Sequence, residues 1–324
     1  MMILFMAYMM LGSARTASAR IVNTSHSKYS YKELQSDLTA FKKKYNKKYF
    51  QLNVIGYSAD NRKLYEVVIG NRDAKKHLLV IANLHAREYM TTQLCMRQIE
   101  YYMNSYQKKI AGKKVSSVLD KVCIHYIPSC NPDGTAISQY GFSAIRSSKL
   151  RKALKKMGGS TSTWKANARG VDLNRNWPSA FRKSGSPGSQ GYHGSKAASE
   201  PETKALIAWV KGLQKSTKVV GLISYHSTGS ILYGRCASQA TSSVRKKTTK
   251  MASLAKALTG YSLMPTESLS SANSCSREYF LYYRKLPCIT LEVGHGACPL
   301  SSGEFSSIWK KNKNLVLKEA MLFD

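Results

Sequence analysis

A chain of 324 residues is too long for a peptide hormone or a bare binding motif and suits one large domain or two ordinary ones. Its 43% hydrophobic and 10% aromatic residues supply a sizeable core, which excludes wholesale disorder. Fifty Lys and Arg against 18 Asp and Glu leave a formal charge of +32, which predicts attraction to some polyanion and says nothing about fold.

Residues 2–12, MILFMAYMMLG, form an uncharged apolar run of secretory length without a basic residue before it. Ala17-Ser18-Ala19 follows and suits signal peptidase, so a signal peptide over 1–19 and an exported domain over 20–324 are expected. No later stretch approaches ~18 consecutive apolar residues, so no membrane span is expected after cleavage. Residues 29–43 read as an amphipathic helix, and QLNVIGYS and KLYEVVIG as paired strands. HLLVIANL (77–84) is a continuous apolar run, followed by a helical stretch over 91–106. CIHYIPS (123–129) is a further strand, ending in the turn signal Asn131-Pro132-Asp133-Gly134. Residues 157–195 are rich in Gly, Ser and Asn and read as loops. Ser199 and Glu202 have capping-box spacing for the next helix. A strand KVVGLISY (218–225), a basic helix near 243–259, a strand LPCITLEV (286–293) and a helix over 304–321 complete the chain. Buried strands alternating with amphipathic helices point to an α/β domain with a mixed sheet covered on both faces.

Seven cysteines fit an oxidising compartment without forming a small-domain disulfide framework. Cys95, Cys123 and Cys288 lie in apolar segments and read as buried thiols. Cys236 and Cys275 lie in polar loop sequence and are free to pair. No CxxC or Cys–His spacing suggests a zinc knuckle.

The chemistry gathers at strand ends, where open α/β sheets place their ligand sites. HLLVIANL runs into His85-Ala86-Arg87-Glu88, KVVGLISY into His226, and LPCITLEV carries Glu292. Two His and one Glu make the three-ligand set of an open catalytic zinc, and a second Glu can take a proton from water at the fourth position. His-x-x-Glu alone is a common coincidence, and a lone strand-ending His is more often a hydrogen-bonded core residue. Glu292 inside an apolar strand is different, because a buried carboxylate needs a cation close by. Between the clusters, Asn174-Arg175 in GVDLNRNW can grip a carboxylate through the forked arginine.

Taken in order, His-x-x-Glu, Asn-Pro-Asp-Gly, Gly-Val-Asp-Leu-Asn-Arg-Asn, Ser-Tyr-His-Ser and Thr-Leu-Glu-Val resemble the carboxypeptidase A-like zinc metallopeptidase family over about residues 29–322. The resemblance implies an eight-stranded mixed sheet with helices on both faces. It implies one Zn2+ held by His85, Glu88 and His226, with Glu292 as general base and acid. It also implies Asn174 and Arg175 as receivers of the substrate carboxylate, with Asp172 supporting a ligand histidine. A further arginine normally polarises the scissile carbonyl in this family; Arg169 is the expected residue, with Arg146 and Arg151 as rivals. The mobile tyrosine of the pancreatic branch has no counterpart over 266–275.

Counting back from Glu292 puts Arg277 on the segment that floors the specificity pocket, where a cation favours a carboxylate-bearing side chain. Pairing with Glu278 or a turn to solvent is the alternative for Arg277. The runs Trp-Lys-Ala-Asn-x-Arg-Gly-Val-Asp-Leu-Asn-Arg-Asn, Ser-Glu-Pro-Glu-Thr and Glu-Val-Gly-x-Gly-x-x-Pro-Leu resemble the bacterial γ-D-glutamyl-(L)-meso-diaminopimelate peptidase branch, although Cys298 stands where that branch has Asn. This resemblance implies a peptidase acting on peptidoglycan stem peptides; with the expected export, a monomer is expected, held near anionic cell-wall polymers by its charge. A general carboxypeptidase preferring acidic C-termini and a catalytically inactive wall-binding homologue are the competing readings. Nucleic acid is not expected as a partner, since no helix-turn-helix or aromatic RNA-binding pattern accompanies the charge.

Overall fold

Successive residues of a strand point to opposite faces, and the central strand of this protein buries both. Leu78, Val80 and Ala82 enter one apolar cluster, whereas Leu79 and Ile81 enter another on the opposite side. A strand buried on both faces reads as the unbroken apolar run seen in the sequence. The computed structural model describes residues 20–265 and 273–324. The expected signal peptide over 1–19 lies outside the described residues, as does most of the 266–275 stretch that lacks a tyrosine.

The strands are β1 (Phe50–Tyr57), β2 (Lys63–Ile69), β3 (Lys76–Ala82), β4 (Lys109–Ile110), β5 (Lys113–Lys114), β6 (Val122–Ile127), β7 (Lys218–His226), β8 (Ile231–Tyr233), β9 (Ser262–Leu263) and β10 (Cys288–Glu292). The helices are α1 (Tyr31–Lys44), α2 (Met90–Asn104), α3 (Val115–Leu119), α4 (Pro132–Tyr140), α5 (Ser148–Met157), α6 (Pro201–Ser216), α7 (Ser242–Thr259), α8 (Ser276–Glu278), α9 (Phe305–Asn312) and α10 (Leu315–Met321). Eight strands form one mixed sheet in the order β1-β2-β6-β3-β7-β10-β8-β9, and β4 and β5 pair as a separate small hairpin. β6, β3, β7 and β10 run parallel, so their carboxyl ends open on one edge of the sheet. This is the α/β architecture expected from the sequence. Helices α1, α2, α9 and α10 and most of α7 cover one face, while α6 and the turn at Tyr279–Leu281 cover the other.

Several ends differ from expectation, each for a local reason. The capping box belongs to α1: Ser30 Oγ accepts from Glu33 N, and the Glu33 carboxylate accepts from Ser30 N. It does not form at Ser199 and Glu202, because α6 starts one residue later, with Glu200 as N-cap and Pro201 at its first position. Ser199 instead donates to Glu200 Oε1 and accepts from Asn176 Nδ2. Asn131-Pro132-Asp133-Gly134 begins helix α4, since Asn131 Oδ1 caps Gly134 N. Gly134 is required there: a Cβ would lie 2.3 Å from Ala166 O. The C-terminal helix breaks after Asn312, whose carbonyl accepts from Gln98 Nε2. All seven cysteines are free, so Cys236 and Cys275 do not pair; Cys275 Sγ accepts from Glu278 N at the start of α8.

Glu202 turns inward from the first turn of α6, where its carboxylate accepts from Ala59 N at 3.0 Å and Asn167 Nδ2 at 3.2 Å. Burial, reinforced by Asp133, pushes it up to about 8 from an ordinary 4.5. The folded chain thus keeps this proton after the unfolded chain has lost it. Its contribution to stability is complete below about pH 4.5, declines as pH rises, and is gone above about pH 8. We expect the melting temperature of the wild type to fall more steeply between these limits than that of Glu202→Gln. Parallel thermal-melt profiles of the two proteins would remove Glu202 as the source.

Candidate active site

The chain leaves β3 through Asn83, which adopts a left-handed φ of 60°. Hydroxyls of Ser129 and Thr135 donate to Asn83 Oδ1, and Asn83 Nδ2 donates to His85 O. This latch fixes the turn that presents His85 and Glu88 at the sheet edge. His226 ends β7, and the parallel register of β10 sets Glu292 directly beside it. His85, Glu88 and His226 are between 1% and 6% exposed.

His85 Nδ1 lies 2.7 Å from Glu88 Oε1, and His226 Nδ1 lies 2.9 Å from Glu88 Oε2. The two Nδ1 atoms stand 3.2 Å apart. Three donor groups converge within 4.8 Å in a site that water hardly reaches. Burial alone would raise the Glu88 carboxyl, but the two imidazoles hold it below its ordinary range, so an anion faces both rings. An ionised carboxylate between two imidazole nitrogens is the donor set of a catalytic zinc. On the far side of His85, Nε2 lies 3.2 Å from Asp172 Oδ1, which places a carboxylate behind the ring as metal-binding imidazoles commonly have. Lys165 Nζ bonds Asp172 Oδ2 at 2.8 Å, and His85 and Lys165 beside it outweigh burial to keep Asp172 well below the usual carboxylate range.

These groups open on a cavity of about 500 Å³. Glu292 lines it, pushed up to about 7 by burial, with Glu88 adding to the rise and His226 opposing it. Asn174 and Arg175 line it as expected. Asn174 Oδ1 accepts from both Ser276 N, at 3.0 Å, and Ser276 Oγ, at 2.7 Å, which leaves its amide NH2 as the group that can reach a ligand. Arg277 is 5% exposed and also lines the cavity. Its Nη2 donates to Arg235 O, its Nε has no partner, and no ion pair to Glu278 forms among the described residues. Neither alternative for Arg277, solvent or Glu278, is the one observed.

Arg169 is not at the site. Its side chain is 49% exposed, and its guanidinium lies 3.9 Å from Glu200 Oε2. Asn167 Oδ1 accepts from both Arg169 N and Val171 N, and this tight turn directs Arg169 outward. The rivals also fail: Arg146 pairs with Asp60, and Arg151 donates to the Ile145 and Arg146 carbonyls. The cavity instead receives Lys165 and Arg87. Both lie inside quoted motifs, Lys165 next to Trp164 and Arg87 within His-Ala-Arg-Glu, but nothing in the spelling shows which cation of an irregular loop faces inward. Thr290, Tyr233 and Cys298 line the cavity as well.

A buried His–Glu–His cradle beside a carboxylate, at the carboxyl edge of a mixed sheet, is the architecture of a zinc peptidase. Comparison with known proteins agrees. The zinc carboxypeptidase family model matches residues 35–284, and the chain belongs to that family. It is 26% identical over 308 residues to gamma-D-glutamyl-L-diamino acid endopeptidase 1 of Lysinibacillus sphaericus, covering 92% of this chain and 73% of that one. The structure of thrombin activatable fibrinolysis inhibitor superposes with a TM-score of 0.74 over 96% of this chain and 78% of that chain, at 19% identity. Murein-tripeptide amidase MpaA of Escherichia coli O157 superposes at 0.51 over 82% of this chain and 91% of that chain, also at 19% identity. Those two likenesses carry the fold.

Removing the Glu292 carboxylate should cost about 10²–10⁴ in kcat while metal content, read by mass spectrometry, stays at the wild-type level. His85→Ala should lose both. Lys165→Ala should lower kcat by at least about tenfold, and Arg169→Ala should leave it near wild type. The reverse order would return the carbonyl-facing role to Arg169.

Proposed function

We propose that this zinc peptidase hydrolyses amide bonds of the γ-D-glutamyl-diaminopimelate type in peptidoglycan stem peptides. The observation that carries the reading is the buried, cavity-lining Arg277 beside Arg175 and Asn174. Two guanidinium groups in one cavity suit a substrate with two carboxylates on the same side of the scissile bond, and diaminopimelate carries a second carboxylate at the far end of its side chain. The Lysinibacillus relative is, by its name, an endopeptidase for such γ-D-glutamyl-diamino acid bonds, which supports the same choice.

His85, Glu88 and His226 are the residues that would hold the ion. A zinc ion bound there supplies Lewis acidity, polarising the carbonyl and making a water easier to deprotonate. Glu292 accepts the proton of a water as its oxygen attacks the amide carbon, and then returns that proton to the leaving amine. Lys165 and Arg87 place positive charge on the cavity wall, where negative charge develops on the carbonyl oxygen. Asp172 keeps His85 in one tautomer and orientation. Asn174 and Arg175 receive the main-chain carboxylate, and Arg277 reads the side chain.

Export over a cleaved 1–19 segment and retention by anionic wall polymers complete the reading. No helix among the described residues is long and apolar enough to cross a membrane. The protein should bind wall material at low salt and leave it as salt rises, because screening shortens the reach of exposed charge; partition independent of salt would count against retention by charge.

Defined muropeptides and peptides ending in Glu, compared by product mass spectrometry, test the substrate. We expect cleavage of the diaminopimelate stem peptide to be preferred. Arg277→Ala should reduce kcat/KM for that peptide by about tenfold or more, in keeping with the loss of a charge-assisted contact. A wild-type preference for proteins ending in Glu or Asp would assign the chain to general carboxypeptidases instead.

A further inference from the structure

At the opposite end of β3 from the active site, the sheet buries a second group of metal-binding side chains. His77 stands near the start of β3, and Cys123 and His125 stand on β6. The parallel register sets His77 opposite Cys123 and Leu79 opposite His125, so strand alternation brings the three side chains to one face. They are 2%, 0% and 5% exposed, and their donor atoms lie within 4.8 Å of one another. Five residues of strand, roughly 17 Å, separate His77 from Ala82, where the turn to the active site begins.

Hydrogen bookkeeping shows what this cluster lacks. His77 Nε2 lies 2.8 Å from Ala74 O, which can only accept, so His77 carries its proton there and turns the lone pair of Nδ1 inward. Glu66 accepts from Trp209 Nε1 at 2.6 Å and Asn53 Nδ2 at 2.8 Å. Both Glu66 oxygens thus accept from groups that can only donate, and His125 Nδ1, 2.8 Å from Oε1, donates to the same carboxylate. The atoms left are His77 Nδ1 and His125 Nε2, facing each other at 2.7 Å. Two lone pairs at that distance repel, so a positive charge must lie between them, either a proton or a metal ion.

Two features favour a metal as the eventual occupant. Each ring has its outer nitrogen tied, one to a carbonyl and one to a carboxylate, which is how metal-binding imidazoles are oriented. Beside the gap stands a soft donor, the Cys123 thiol, which a bound cation would convert to thiolate. We propose that His77, His125 and Cys123 form a second metal site, for a soft cation of the Zn2+ or Cu+ class, separate from the catalytic set. Zinc–nitrogen bonds of ~2.0–2.1 Å at a tetrahedral angle place two nitrogens about 3.3 Å apart. The rings therefore move apart by roughly half an ångström as the metal replaces the shared proton. Beside the cluster lies the turn over residues 71–75, where Arg72, Asp73 and Lys75 are exposed and Ala74 supplies the carbonyl that holds His77. A metal there clamps β3 to β6 and, through Glu66, to β2.

Cobalt distinguishes the two sites, because His85, Glu88 and His226 offer no sulfur. The intact protein, stripped with chelator and reloaded with Co2+, should bind about two ions per chain and show cobalt–thiolate charge-transfer absorption. The absorption should persist in Cys298→Ser, whose thiol lies near the catalytic cavity. It should vanish in Cys123→Ser, which should keep about one ion and full peptidase activity. His77→Gln, which retains the thiol, should also fall to about one ion, so the answer does not depend on one variant folding. One ion per chain in active wild type at saturating Co2+, or thiolate absorption that survives both Cys123→Ser and His77→Gln, would overturn the site and leave a proton between the rings.

Discussion

Glu88 is an anion shut away from water between two imidazoles, with Nδ1 of His85 at 2.7 Å and Nδ1 of His226 at 2.9 Å. Those rings are 141 positions apart in the chain, and they meet because β3 and β7 are parallel neighbours whose carboxyl ends share one edge. A lone carboxylate in this position would be costly, and neutral partners alone do little to offset burial. The arrangement therefore depends on positive charge, and each surrounding element serves that condition. Asp172 and Lys165 hold His85 from behind, the Asn83 latch sets the turn, and β10 delivers Glu292 beside His226.

Charge is also what separates the surface of this protein from its cavity. The lysines on α5 and α7 face solvent in short groups, where each is hydrated and screened. Arg277 is almost fully enclosed, with an unpartnered Nε. A buried guanidinium attracts a carboxylate far more strongly than an exposed one, because little water competes. The excess charge of the chain and its proposed selectivity are thus separate properties, although both arise from the same residue types.

The groups legible in the sequence were those whose position follows from strand periodicity. His85, His226 and Glu292 follow or end apolar runs, and a parallel sheet brings such ends together whatever the intervening loops do. The eight-stranded sheet came from the family resemblance, since the two-residue β9 and three-residue β8 leave no periodic trace. Direction within loops was not legible. Lys165 and Arg169 lie four residues apart in one irregular segment, and two bonds from backbone nitrogens to Asn167 Oδ1 decide that Arg169 points outward. Cap positions failed on the same scale: moving a helix start by one residue transfers Glu202 from a cap to the interior. The His77, Cys123 and His125 group was invisible for another reason, because its first member is supplied by strand pairing across 46 residues of sequence.

The bonds from Ser276 N and Oγ to Asn174 Oδ1 join α8 to the loop that carries Arg175, and Arg277 is the next residue along α8. The backbone positions of the two arginines are therefore tied to one another before any ligand arrives. Under the proposed function, a cavity built this way would measure length. A substrate whose two carboxylates match the span would engage both arginines, whereas a shorter diacid would leave one cation unmet in a place where water is a poor substitute. Discrimination would then rest on the number of carbons between two like charges, a quantity that tied elements gauge and a flexible loop would not.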